Sequence, residues 1–170
     1  ALSCSVFGIN VSCNGGNDGT ATVTVNGGVA PYTYLWNTST AATTSSINSV
    51  NAGTYTVIVT DANGCTTSCF IVITQPALLT CVAISTSLSC DGSANGTATA
   101  SVTGGTSPYA YLWSDGQTNI TATGLSSGSY TVLITDSKGC TSQCATTIAV
   151  VSPLSCQTSV TNATCTGFPN

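Results

Sequence analysis

Charge is almost missing from this chain. Of 170 residues only 4% are charged: a single cation, Lys138, and five Asp, with no Arg, His, Glu or Met. Catalysis is the first function this scarcity excludes. General acid–base chemistry draws mostly on His, Glu or paired carboxylates, and a Ser or Cys nucleophile needs a base beside it. The five Asp stand near turn signals rather than in pairs, so no enzyme is expected here, nor any cofactor or metal. Nucleic acid is excluded as a partner, because phosphate recognition needs clustered Lys and Arg. Long apolar runs are absent as well. Mean hydropathy is +0.35, yet no stretch approaches the ~20 apolar residues of a spanning helix, and membrane insertion is not expected. No basic segment followed by an apolar one opens the chain, so any signal peptide is expected to have been removed.

What is present is hydroxyl and sulfur. Ser and Thr make up roughly a third of the positions, and there are ten Cys. Most intracellular proteins keep soluble through mixed surface charge. A surface wetted by hydroxyls or sugars, with cysteines at regular spacings and no His to complete a zinc site, points to a disulfide framework made in an oxidising, extracellular compartment.

The chain repeats itself. VSCNGGNDGTATVTVNGG at 11–28 returns as LSCDGSANGTATASVTGG at 88–105, PYTYLW at 31–36 as PYAYLW at 108–113, and GTYTVIVTDANGC at 53–65 as GSYTVLITDSKGC at 128–140. A third copy opens with LSCQTSVTNATCTG from Leu154. The expected organisation is repeat 1 at 1–76, repeat 2 at 77–153, and a partial third repeat at 154–170 that acts as a candidate intermolecular donor strand. Within each repeat the apolar period is two. Ala21, Val23 and Val25 alternate with Thr, and Tyr55, Val57 and Val59 alternate with Thr56, Ile58 and Thr60, as in strands with one buried face. Asp18-Gly19 and Asn95-Gly96 are read as tight turns, and Gly27-Gly28 and Gly104-Gly105 as strand breaks. No helical stripe is visible. The fold class is all-β: two tandem immunoglobulin-like sandwiches plus the opening strand of a third.

The combination C-x-G, GTATV, GG-x-x-PYxYLW, GxYTVxVTD and xxGC resembles the SprB-type repeat of bacterial gliding and surface adhesins, a relative of PKD and immunoglobulin-like modules. That resemblance spans nearly the whole chain. It implies a secreted or cell-surface bacterial protein in which repeat arrays serve as stalks or adhesive fibres.

Individual motifs read as structural. Trp36 and Trp113 follow PYxYL and are expected in the core, one per sandwich; of Tyr32 and Tyr34, and of Tyr109 and Tyr111, one in each pair is expected to be exposed. Tyr55 and Tyr130 resemble tyrosine corners. Asp61 and Asp136 precede turns, where Asp accepts backbone N–H groups, and calcium would need more carboxylates than are available. Sequons stand at Asn10, Asn37, Asn95, Asn119 and Asn162. Asn37 and Asn119, in the loop after the Trp strand, are the favoured sites for covalent glycans.

The cysteines fall as C-x8-C at the start of each repeat and C-x3-C after its last turn. A bridge within either motif fits poorly, since bridged Cα atoms lie within about 7 Å, so bridges between the start and the end of a repeat are expected. Cys13–Cys65 and Cys90–Cys140 are favoured, as the family resemblance also implies. Two schemes remain for the others. Either Cys4 pairs with Cys69 and Cys81 with Cys144, leaving Cys156 and Cys165 spare, or Cys69 pairs with Cys81 and Cys144 with Cys156, leaving Cys4 and Cys165 to join successive molecules. The expected function is a subunit of an extracellular, glycosylated, disulfide-stabilised filament whose partners are copies of itself, joined head to tail. The alternatives are a stalk segment of a large adhesin and, as a third class, a carbohydrate-binding module.

Overall fold

The computed structural model describes residues 1–88 and 95–150. The opening strand expected at 154–170, with Cys156, Asn162 and Cys165, lies outside these residues, as does Cys90. Every regular element described is a strand. β1 (Ser3–Ile9), β2 (Gly19–Asn26), β3 (Thr33–Trp36), β4 (Ser46–Val50), β5 (Gly53–Thr60) and β6 (Thr66–Ile73) are followed by β7 (Thr80–Thr86), β8 (Gly96–Thr103), β9 (Tyr109–Trp113), β10 (Thr121–Leu125), β11 (Gly128–Asp136) and β12 (Thr141–Ile148).

The first six strands form two antiparallel sheets, β1-β2-β4 and β3-β5-β6, and the next six repeat the arrangement as β7-β8-β10 and β9-β11-β12. This is the immunoglobulin order, A-B-E facing C-F-G. Each sandwich has a core of its own. The first contains Ala21, Val23, Trp36, Ile47, Val57, Val59 and Ile73; the second contains Ala98, Ala100, Trp113, Ala122, Val132, Ile134 and Ile148. The period of two explains the split: Val57 and Val59 are fully buried while Ile58 between them is 44% exposed. After β1 the chain crosses to the other sheet, where Val11 N–H donates to the Thr74 carbonyl at 3.0 Å, and Leu88 does the same to Ala149 at 3.1 Å.

Both Trp indoles are buried, and each Nε1–H is satisfied by a loop carbonyl, Thr44 for Trp36 and Asn119 for Trp113, both at 2.9 Å. The Tyr55 hydroxyl donates to the Asn51 carbonyl at 3.0 Å and that of Tyr130 to Ser126 at 3.2 Å, tying the corner before β5 and β11. Two readings are corrected. Tyr32 and Tyr34, and likewise Tyr109 and Tyr111, are all half-buried and packed on the cores. Residues two apart share one face of a strand, so neither member of a pair turns outward; Leu35 and Leu112 do so instead. Gly19 and Gly96 are the buried first residues of β2 and β8 rather than turn residues. A Cβ on Gly96 would lie 2.8 Å from the Leu125 carbonyl oxygen and 2.9 Å from the Ile148 side chain, and one on Gly19 would lie 2.7 Å from the Val50 oxygen.

Because backbone and a packed core side chain both stand in the way, Gly96→Ala is expected to lower folding stability by about 1–3 kcal/mol. Equilibrium denaturation measures this, and an unchanged midpoint contradicts the packing described.

Candidate inter-repeat junction

The cysteines carry the chemistry of this molecule. Cys4 on β1 and Cys69 on β6 both face inward and bridge the two sheets of the first sandwich, with Cα atoms 6.0 Å apart; Cys81 and Cys144 do the same in the second, at 5.8 Å. These are the pairs of the first scheme. The second scheme is overturned, because Cys69, Cys81 and Cys144 are all committed within their own sandwiches.

Cys13 does not bond Cys65. It bonds Cys140, in the other repeat, across a Cα separation of 5.6 Å, and Cys65 is left as an exposed free thiol. Strand geometry is the reason. Cys65 stands just before β6, whereas Cys13 lies beside the Thr74 end of that strand, where Val11 is hydrogen-bonded. Eight residues of strand separate the two ends by roughly 26 Å, and a disulfide tolerates no more than about 7 Å between Cα atoms. Cys140 is likewise unavailable to Cys90, being already bonded.

Two loops present the bonded pair. On repeat 1, the Ser12 N–H donates to Asp18 Oδ1 at 2.9 Å, Gly16 N–H to the Cys13 carbonyl at 3.0 Å, Gly15 N–H to Gln75 Oε1 at 2.7 Å, and Asn14 Nδ2 to the Pro76 carbonyl at 3.0 Å. The last two bonds fasten the Cys13 loop to the chain leading into repeat 2. On repeat 2, Asp136 shapes the loop: Oδ1 accepts from Lys138 N–H and Cys140 N–H, and Oδ2 from Thr106 N–H, all at 2.9 Å. Cys140 Sγ lies 3.4 Å from the Ser12 carbonyl oxygen, and Leu79 shares a shallow cleft with Cys13, Asn14 and Cys140.

Repeat 1 builds the same loop at its far end. Asp61 Oδ1 accepts from Asn63 N–H at 3.0 Å and Cys65 N–H at 2.9 Å, and Oδ2 from Val29 N–H at 3.1 Å. In both aspartates burial opposes ionisation and the backbone N–H bonds outweigh it, so the carboxyl sits below its ordinary 3.8. These are turn-forming carboxylates with their lone pairs already engaged, and no cluster of metal-ligating side chains occurs among the described residues.

The family model for the SprB repeat matches residues 9–41 and 82–118. Each sandwich thus contains one segment similar to the SprB repeat. No curated protein matches it. Similar solved structures include one described as the structural basis for Dscam isoform specificity, 14% identical over 89% of this chain and 47% of that one, with a TM-score of 0.38. Another is the N-terminal eight Ig domains of Down Syndrome Cell Adhesion Molecule isoform 1.30.30, at 13% identity over 86% and 21% with a TM-score of 0.37. A third is the fibronectin(III)-like modules of Clostridium thermocellum CbhA, at 15% over 88% and 94% with a TM-score of 0.36. The chain spans less than half the length of the two Dscam structures. With scores this low, the immunoglobulin-like description of the two repeats rests on their own strand order.

The sequons among the described residues, Asn10, Asn37, Asn95 and Asn119, are exposed. Asn37 is engaged locally, its Oδ1 accepting from Thr56 N–H at 2.9 Å and its Nδ2 donating to the Thr54 carbonyl at 3.2 Å. Asn10 Oδ1 accepts from Thr74 N–H at 2.9 Å. A sugar platform of coplanar exposed aromatics is not formed by Trp36, Trp113 or the PYxY tyrosines, which pack on the cores.

Asp136→Asn tests the loop clamp. A native pKa lowered below the unfolded value stabilises the fold fully above pH 3.8 and progressively less as pH falls through the native value. Thermal melts across pH 2–7 are therefore expected to show wild-type stability falling at the acid end. The variant melts lower at neutral pH by a few degrees, with a flatter acid limb; an equal pH dependence in both contradicts the role assigned to Asp136.

Proposed function

We propose that these SprB-type repeats are a stalk segment of an extracellular bacterial adhesin, a load-bearing spacer that is not an enzyme. The observation that carries this reading is the Cys13–Cys140 bond, because it closes the junction between successive sandwiches covalently. Pulled from its ends, the chain transmits tension along two short routes. One passes through residues 4–13, across Cys13–Cys140, and on through 140–144. The other crosses Cys4–Cys69, follows residues 69–81, and crosses Cys81–Cys144. Neither route passes through a core strand pairing such as β2-β4 or β9-β11, so force reaches covalent bonds before it reaches the folded cores.

A second reading, a filament of copies joined head to tail, is favoured by the exposed Cys65, a thiol whose counterpart in repeat 2 is bonded to the neighbouring repeat. Covalent glycans on Asn10, Asn37, Asn95 or Asn119 fit either reading, since these residues are exposed on a surface with almost no charge. Glycosylation is expected to give an intact mass above that of the polypeptide in material from the native source, and an unmodified mass contradicts it.

Single-molecule pulling tests the stalk. The oxidised chain is expected to show no long unfolding step. Full reduction frees the 127-residue separation between Cys13 and Cys140, about 420–460 Å of contour length. The double variant Cys13→Ser/Cys140→Ser keeps the second route and so keeps the short extension, while small-angle scattering shows its inter-repeat distances broadened. A long unfolding step in the oxidised wild type contradicts the reading.

A further inference from the structure

The two repeats act as an internal comparison, and they differ at the loop after the Trp strand. Ala42 in repeat 1 stands where Gln117 stands in repeat 2: the Trp36 N–H donates to the Ala42 carbonyl and the Trp113 N–H to the Gln117 carbonyl, both at 2.9 Å. The Gln117 side chain closes its loop against β10. Its Oε1 accepts from the Thr123 N–H and its Nε2 donates to the Thr123 carbonyl, both at 3.0 Å. Asn48 is the counterpart of Thr123 on β4, an edge strand of its sheet. The Val23 N–H donates to the Ser45 carbonyl at 2.9 Å, and the pairs Thr22–Ser46, Ala21–Ile47 and Thr20–Asn48 follow in order. Alternation along this antiparallel ladder turns the Asn48 N–H and C=O away from β2. Ala42 has no carboxamide to meet them, and no other side chain among the described residues takes its place.

Repeat 1 has an open cleft of about 720 Å³ at this place, within the size range of small-ligand sites. The loop that walls it is the longer of the two, with six positions from Trp36 to Ala42 against four from Trp113 to Gln117. Asn37, Thr40, Ser46, Asn48, Asn51 and Tyr55 line the cleft, and no charged side chain does. Its backbone is also held against preference. Ser49, which lines the cleft beside Asn48, has a φ of 55°, where the counterpart in repeat 2 is Gly124 at 66°. A left-handed serine persists only where its surroundings impose it, and such positions gather at ligand clamps.

We propose that this cleft is a binding site for a neutral saccharide, held by two adjacent ring hydroxyls on the Asn48 N–H and C=O. A hydroxyl both donates and accepts. One therefore accepts from the Asn48 N–H while its neighbour donates to the Asn48 carbonyl, reproducing the two bonds that Gln117 makes in repeat 2. The hydroxyls and carboxamides of the lining suit the rest of a sugar ring, and a lining without charge offers nothing to a phosphate or a carboxylate. A peptide added as a further strand fits worse, because it needs outward backbone groups on alternate residues. The Ser46 carbonyl already accepts from the Thr44 hydroxyl, and at Ser49 the chain leaves the extended conformation. One complete pair remains, enough for a diol and too little for a strand. The site is independent of the Cys13–Cys140 junction, so the stalk reading stands whether or not the cleft binds sugar.

The test uses the whole oxidised 170-residue chain, isotope-labelled and carrying no glycan, since Asn37 lines the cleft. Cellohexaose, laminarihexaose, mannohexaose and xylohexaose are titrated to millimolar concentration, and binding is read from amide chemical shifts. Saturable shifts at Ser46, Asn48, Ser49 and Tyr55 are expected with at least one of these oligosaccharides, and none at Thr123 or Gly124, where Gln117 already occupies the edge. Ala42→Gln supplies the missing plug and is expected to abolish the response. The Trp36 indole N–H, bonded to the Thr44 carbonyl, should keep its resonance and so show that the loop is still folded. Thr40→Tyr, at an exposed loop position, blocks the mouth of the cleft independently and should abolish the response as well. No saturable shift with any of the oligosaccharides, an equal response at Thr123 and Gly124, or a response that survives both variants would each overturn the inference. So would an uncharged Ser/Gln peptide that moves the Asn48 and Ser49 amides when no saccharide does, since the cleft would then belong to a polypeptide.

Discussion

A disulfide reaches about 7 Å between Cα atoms, and an eight-residue strand spans roughly four times that. The arrangement of this molecule follows from that mismatch. The cysteine after the last turn, Cys65 or Cys140, is fixed at one end of its sandwich by the aspartate loop. The second cysteine of the opening motif, Cys13, is fixed at the other end by pairing with the exit of β6. Two cysteines at opposite ends of one rigid body cannot meet. Stacking a second body end to end brings Cys13 of the first to Cys140 of the next, and a motif that looks like an internal clasp becomes a joint.

The other bridges address a different shortage. Each sandwich has six strands and a core of a few aliphatic side chains around one Trp, and domains of this size bury too little apolar surface to be comfortably stable. Antibody domains staple strands B and F through the middle of the core. Here the bridge joins the first and last strands instead, Cys4 to Cys69 and Cys81 to Cys144, leaving the centre to Trp36 and Trp113. Each such closure typically contributes ~2–4 kcal/mol. Joining β1 to β6 also removes the route by which these sheets would open, since both are edge strands of their sheets. Polar loops complete the fold with backbone-directed bonds: the aspartate clamps and tyrosine corners each satisfy N–H or C=O groups that no strand pairing reaches.

Much of this was legible from residue order, and the misses share a cause. Alternation in GTATV and YTVIV set the strands and their buried faces, because a period of two has one structural meaning. PYxYLW marked the core tryptophans, and GxY the corners. What failed was each inference that required knowing which chain segment passes nearby. Gly19 and Gly96 follow Asp and Asn, as turn glycines do, but their small size serves the close approach of the Val50 and Leu125 carbonyls from neighbouring strands. Alternation itself places residues two apart on one face, which puts both tyrosines of each PYxY pair against the core. The Cys13 pairing is hidden because the partner, Cys140, lies in the next period of the repeat. Counting the strand between Cys65 and Thr74 is the signal that excludes Cys65 as the partner.

Mechanical and thermodynamic stability come apart in such a design. Folding free energies of small domains are of order 5–15 kcal/mol, and a stalk relying on strand pairing alone would lengthen whenever load lowered that barrier. In this chain tension entering before Cys4 divides between the residues leading to Cys13–Cys140 and those linking Cys69 to Cys81, and rejoins at Cys144. The two backbone routes are of similar length, so neither is slack while the other is taut, and cutting one leaves the other in place. The cores then serve to hold cysteines in register, and the loops serve to aim them. That division accounts for a sequence with almost no charge and ten cysteines: what needs specifying is the position of the sulfur atoms, and a plain sandwich around an aliphatic core and one Trp is enough to do it.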